Sequence, residues 1–137
     1  MISLFKNKSN NNTFSKIAAL LIHVAKIDEK YEKMEEEIIK KTLIELGADS
    51  SNINKLIEEA LVIEENSNQI LDFTREVKNI DEKDKLKIVE SLWKIIYSND
   101  CADQYETNLM RRLTGLLYID SKIMGNVKEK VKKGFKK

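Results

Sequence analysis

Residues 23–39 read HVAKIDEKYEKMEEEII. An apolar helical run closes at the left of this stretch, acidic residues crowd a short turn, and a second helix opens at the right. Ile17, Leu21, Val24 and Asp28 fall at steps of four, three and four, the spacing of one helix face. Ile38, Ile39, Thr42, Leu43 and Leu46 carry the next face, which stops at Gly47, a residue suited to ending a helix. Helix, acidic turn, helix is the unit from which the fold is read. Asp28, Glu32 and Glu35 repel one another, so the turn is either well solvated or shared with something positive.

The same spacing extends along the chain. Ser50 or Ser51 is expected to cap a third helix through Ile53, Leu56, Ile57, Ala60, Leu61 and Ile63. A short fourth helix is expected over roughly 68–80, with Ile70, Leu71, Phe73, Thr74 and Val77 inward. Asp81 opens a fifth, with Asp84 in an acidic first turn. Its Leu86, Ile88, Val89, Leu92, Trp93, Ile95 and Ile96 occupy most sides, which predicts the central helix. Asp103 opens a sixth through Leu109, Met110, Leu113, Leu116 and Leu117. A last one starts near Ser121, with Ile123, Val127, Val131 and Phe135 at steps of four.

Proline is absent and glycine occurs only four times, too few turn residues for a sheet-rich fold. The expected architecture is all-α, a compact bundle of six or seven helices with short connections. One domain is expected over 13–125. A flexible lead-in at 1–12, with a polar spacer at Asn10 to Asn12, precedes it, and a basic helix or tail at 126–137 follows.

Composition limits the function classes. The 137 residues hold 42% hydrophobic and 34% charged side chains, the balance of a soluble globular domain. With 24 Lys+Arg against 23 Asp+Glu there is no global pull towards nucleic acid. The arginines are Arg75, Arg111 and Arg112, a poor endowment for bidentate phosphate or base recognition, so no nucleic-acid partner is expected. A single cysteine, Cys101, excludes an intrachain disulfide and a multi-cysteine zinc site, and suggests a reduced, cytoplasmic setting. Neither a secretory signal nor a membrane span is read from the sequence.

The opening stretch returns as WKIIYSNDCADQYETNLMRRL at residues 93–113. Aligned without gaps, Asp28 meets Asn99, Glu32 meets Asp103 and Glu35 meets Glu106, at one constant offset (99 − 28 = 71). The apolar frame agrees: Leu21 meets Leu92, Val24 meets Ile95, Ile38 meets Leu109 and Ile39 meets Met110. One repeat at so long a period suggests duplication of a supersecondary unit rather than a solenoid.

Two chemistries suit this pattern. Oxygen-only ligands at a turn fit a hard divalent ion such as Ca²⁺ or Mg²⁺, with water and carbonyl groups completing the shell. The spacing is not that of an EF-hand loop. Alternatively the acids only cap helices and stay hydrated. Asp103 followed three residues later by Glu106 resembles a capping box, worth about 1 kcal/mol without any ion. Glu32, in the same place of the first copy, is a weaker cap.

These residues resemble the TerB-like family, the tellurite-resistance helical domain, whose hallmark is an acidic turn after an apolar helix, present twice. LLIHVAKID with Glu32 and Glu35 resembles the first copy, LWKIIYSND with DQYETNLMRRLTGLL the second, and ILDFTREVKNI the segment between. The resemblance covers roughly 14–123. It implies an all-helical fold with internal pseudo-twofold symmetry, acidic clusters that hold divalent metal, and stress-response partners at the inner membrane. By that resemblance Asp28, Glu32 and Glu35 form the first candidate metal cluster, and Asn99, Asp103 and Glu106 the second. The sequence departs from the motif at the turn glycine, which is Glu29 in one copy and Asp100 in the other. Asn99 keeps an oxygen but not the charge, which predicts a weaker second site.

His23 stands alone and reads as a half-buried helix residue. Trp93 and Tyr97 read as core. No nucleophile accompanies the carboxylates, so no enzyme is expected. VKEKVKKGFKK at 127–137 carries six lysines and one glutamate, which reads as a last helix docking its apolar stripe. The functional alternative is peripheral contact with an anionic membrane surface or an acidic partner. The expected function is a non-enzymatic binding module that takes a divalent ion weakly and works in stress response through protein partners. Its rival is a metal-independent interaction or co-chaperone-type domain.

Overall fold

The computed structural model describes residues 10–26, 33–66, 71–78, 80–97 and 106–135. Among them the chain forms seven α-helices and no strand: α1 (Asn10–Ala25), α2 (Lys33–Glu45), α3 (Ile53–Glu65), α4 (Leu71–Val77), α5 (Glu82–Tyr97), α6 (Arg111–Leu116) and α7 (Ser121–Phe135). A 3₁₀ turn (Ser50–Asn52) leads into α3, and a π-helical turn (Glu106–Met110) leads into α6. The all-α bundle is as the spacing predicts.

The centre is α1 rather than α5. Between Lys16 and Lys26 it carries no charge except what His23 can gain, and Ile17 to Ile22, Val24 and Ala25 are all buried. It therefore packs against α2, α3, α4 and α5, whereas α5 packs on α1, α2 and α7. The expected spacer at Asn10 to Asn12 is already the first turn of α1. Of the basic segment expected as a helix or tail, residues 126–135 are helical, the end of α7, which packs against α5. Val131 is only 4% exposed, and Ile123 and Val127 pack on the core.

Polar links join the helices at their margins. Ser15 Oγ donates to Glu59 Oε1 at 3.0 Å, tying α1 to α3. The Thr42 hydroxyl donates to the Ile38 carbonyl at 2.8 Å, so its hydrogen bond with Ser91 in α5 uses the serine as donor. Lys87 Nζ reaches the Glu45 carbonyl at 3.4 Å, near the end of α2.

Two helices end in the same way. After α2, the amide of Gly47 donates to Ile44 O at 3.0 Å and that of Ala48 to Leu43 O at 2.9 Å. Gly47 takes φ 116°, where a side chain would be strained. After α6, Tyr118 donates to Gly115 O at 3.2 Å and Ile119 to Thr114 O at 3.0 Å, with Tyr118 at φ 56°. Each of these residues lies 71 positions beyond its counterpart.

The next capping contact follows the same offset. Asp49 accepts the Ser51 amide at 3.0 Å, and Asp120 accepts the Lys122 amide at 2.7 Å. Ser50 and Ser51 are thus not the caps: they lie in the 3₁₀ turn, and Asp49 does the capping. Asn52 precedes α3 without a side-chain cap bond. An aspartate at this place offers a charged acceptor to an amide that the helix leaves open, which a neutral serine does less strongly.

Candidate functional site

Of the six residues that the acidic pattern singles out, Asp28, Glu32, Asn99 and Asp103 lie outside the described residues. Glu106 opens the π-helical turn, but its side chain also lies outside them. Glu35 is described fully, and it is unlike its neighbours. It stands in the first turn of α2, 3% exposed, while Glu36 is half-buried and Glu37 is exposed. Glu36 pairs with Lys40 at 3.0 Å, as expected for positions four apart on a helix.

Burial of Glu35 follows from helix geometry. It lies four residues before Ile39, which is fully buried, so both share the core-facing side of α2. A buried carboxylate is costly unless something compensates it. Glu35 is engaged in a polar or electrostatic interaction. Among the described residues no three His, Cys, Asp or Glu side chains converge as a ligand set.

The two acidic segments part at this point. Glu35 to Ile39 are ordinary α-helix, whereas Glu106 to Met110, 71 residues on, wind as a π-helical turn. A π turn inserts a residue into the helical ladder and re-aims what precedes it. A difference between the sites, inferred from Asn99 alone, is therefore also present in the backbone at Glu106.

An ion-pair cluster closes α1 onto α3. Glu64 receives Lys26 Nζ at 2.7 Å on Oε1 and His23 Nδ1 at 3.2 Å on Oε2. An ionised carboxylate only accepts, so His23 carries its proton on Nδ1 in this contact. Burial pushes the Glu64 carboxyl up, but the hydrogen bonds and charges of Lys26 and His23 outweigh it, and the net direction is down. Asp49 is also held below its ordinary value, chiefly by the Ser51 amide and then its hydroxyl. His23 is half-buried as expected, against the Phe73 ring at 5.8 Å. Its carboxylate partner lies 41 residues away in sequence, where no local signal marks it.

The family model of the tellurite resistance protein TerB matches residues 15–129. The chain belongs to the TerB family. The match takes in most of α1, both acidic segments and most of α7 of this TerB-family protein. No curated protein and no solved structure matches it. Among its described residues no helix is long and apolar enough to cross a membrane.

Proposed function

We propose that this TerB-family chain is a non-enzymatic binding module whose first acidic corner, Asp28, Glu32 and Glu35, takes a divalent cation. The observation that carries the reading is Glu35, a carboxylate 3% exposed at the start of α2. A surface cap has no need to be buried, whereas an ion ligand gains from a dry setting in which its charge is less screened. An all-oxygen donor set selects a hard ion such as Ca²⁺ or Mg²⁺. Such an ion would hold the α1 end against the α2 start. Asn99, Asp103 and Glu106 form the weaker second corner, since Asn99 brings no charge.

The test is a titration with Ca²⁺, Mg²⁺, Mn²⁺ and Zn²⁺, followed by amide chemical shifts. Shifts clustered near 27–36, saturable and absent in the Asp28→Asn, Glu35→Gln double variant, support the ion site. Unmoved spectra at millimolar ion leave the second reading, a metal-independent interaction domain. Asp49 and Asp120, whose carboxylates each accept a backbone amide, favour that second reading, since acids of this chain do serve as caps. In either case the chain works as a cytoplasmic stress-response component through protein partners. The exposed lysines of α7, among them Lys132 and Lys133, supply a basic face for anionic membrane surfaces.

A further inference from the structure

We propose that the cleft between α5, α6 and α7 binds a small amphipathic anion, its apolar body inside the cleft and its carboxylate at the Arg111–Lys128 rim. The cleft has a volume of about 850 Å³, the size range of small-molecule sites. Trp93, Met110, Ile119 and Met124 line its apolar part, each nearly enclosed by the protein. Trp93 Nε1 donates to Met124 Sδ at 3.3 Å, which satisfies the indole within the wall. Flat and sulfur-bearing side chains of this kind adapt to an apolar guest.

Charge selects the sign of the guest. Arg111 and Lys128 are the charged side chains among the described residues lining the cleft, and both are cationic. Lys128 Nζ lies 5.8 Å from the Trp93 ring centre, so a head group held there sits directly above the apolar part. Arg111 is exposed and presents a planar fork suited to a carboxylate.

Gly115 and Gly125 stand where the first half has Ile44 and Asn54, and Lys128 where it has Ile57, buried at 4%. Ile44 and Asn54 are themselves exposed, so of these exchanges the one that opens buried space is Lys128, whose tip seeks water where an isoleucine is enclosed. A Cβ added at Gly115 or Gly125 meets no atom within 4 Å, so the space is there to be filled.

Trp93 is the sole tryptophan, so its emission reports on the cleft directly. Monomeric decanoate is titrated against the full chain, with decylammonium as the cationic control and phosphatidylglycerol vesicles as the membrane arm. The expected result is a saturable emission shift with decanoate, at least tenfold weaker with decylammonium. Arg111→Glu weakens the decanoate response at least tenfold, and Gly115→Leu with Gly125→Leu abolishes it while the circular-dichroism melt stays cooperative. An equal response to decylammonium, a response that survives both variants, or no shift at millimolar decanoate overturns the proposal. A shift seen only with vesicles overturns it too, in favour of a membrane surface.

Discussion

Tyr118 has less freedom to change than its exposure suggests. Its side chain is 69% exposed, and substitutions at such positions usually cost within about 0.5 kcal/mol. Its φ of 56° alters that expectation, because a β-branched side chain is far less tolerable there than a tyrosine. Tyr118→Ile should cost at least about 1 kcal/mol relative to Tyr118→Gly, read from urea midpoints at constant slope. Glycine frees the backbone but gives up the Lys78 ammonium, 5.2 Å from the ring centre, a contact worth about 0.5 kcal/mol at the surface. Glu64 is a second case. Glu64→Gln should cost about 1 kcal/mol at pH 7, because two donors lose a charged acceptor. The folded carboxyl lies below its ordinary value. Its stabilisation is therefore present in full above about 4.5 and is lost as pH falls through the lower folded value. Urea midpoints of wild type and Glu64→Gln should converge as pH is lowered below the ordinary carboxylate range, and a gap that stays constant throughout acid titration would refute the assignment.

The helices themselves were legible because apolar residues recur at helical spacing, and Gly47 marked an end by residue type alone. What defeated the reading lies in tertiary choices. The dense apolar pattern of α5 suggested the centre, but the better signal was the near absence of charge along α1. Tyr118 gives no hint of a left-handed backbone, although its offset from Gly47 does. Ser50 and Ser51 are good caps by type, yet Asp49 stands one residue earlier with a charge. Glu35 was legible as a turn acid but its burial was not, since that depends on how α2 rolls against the core. For α7 the apolar stripe gave the answer that its lysines obscured. Val131→Ala should cost about 2 kcal/mol, as expected for a buried aliphatic residue that leaves a partial cavity. Amides of 126–135 should then exchange faster than those of α1. Equal exchange in the variant and the wild type would mean that the stripe does not hold the helix down. Gly125→Ala should act in the opposite direction, raising stability by up to about 1 kcal/mol, because the new methyl group meets open space and alanine is the better helix former.

At the scale of the whole molecule, an ion at the first corner is also a folding term. Asp28 and Glu32 come from the segment between α1 and α2, and Glu35 from α2 itself, so an ion that binds all three binds the folded chain only. Linkage then stabilises the fold by about 1.4 kcal/mol at ten times the dissociation constant, enough to raise the melting temperature by a few degrees. The rise should vanish in Asp28→Asn with Glu35→Gln and persist in Glu36→Gln, because the Glu36 carboxylate pairs with Lys40. The second corner supplies the sharper comparison. Asn99→Asp restores the charge that the first copy has, so it should increase the ion-dependent rise if the two corners work alike. Without ion the same substitution adds one more repelling carboxylate and should lower the melting temperature slightly. The two signs together separate the readings: a cap that needs no ion predicts the second effect and not the first. If Asn99→Asp leaves the ion response unchanged while the first corner still responds, the π-helical turn at Glu106 is the reason to examine next, since it breaks the helical register that the first corner keeps at Glu35.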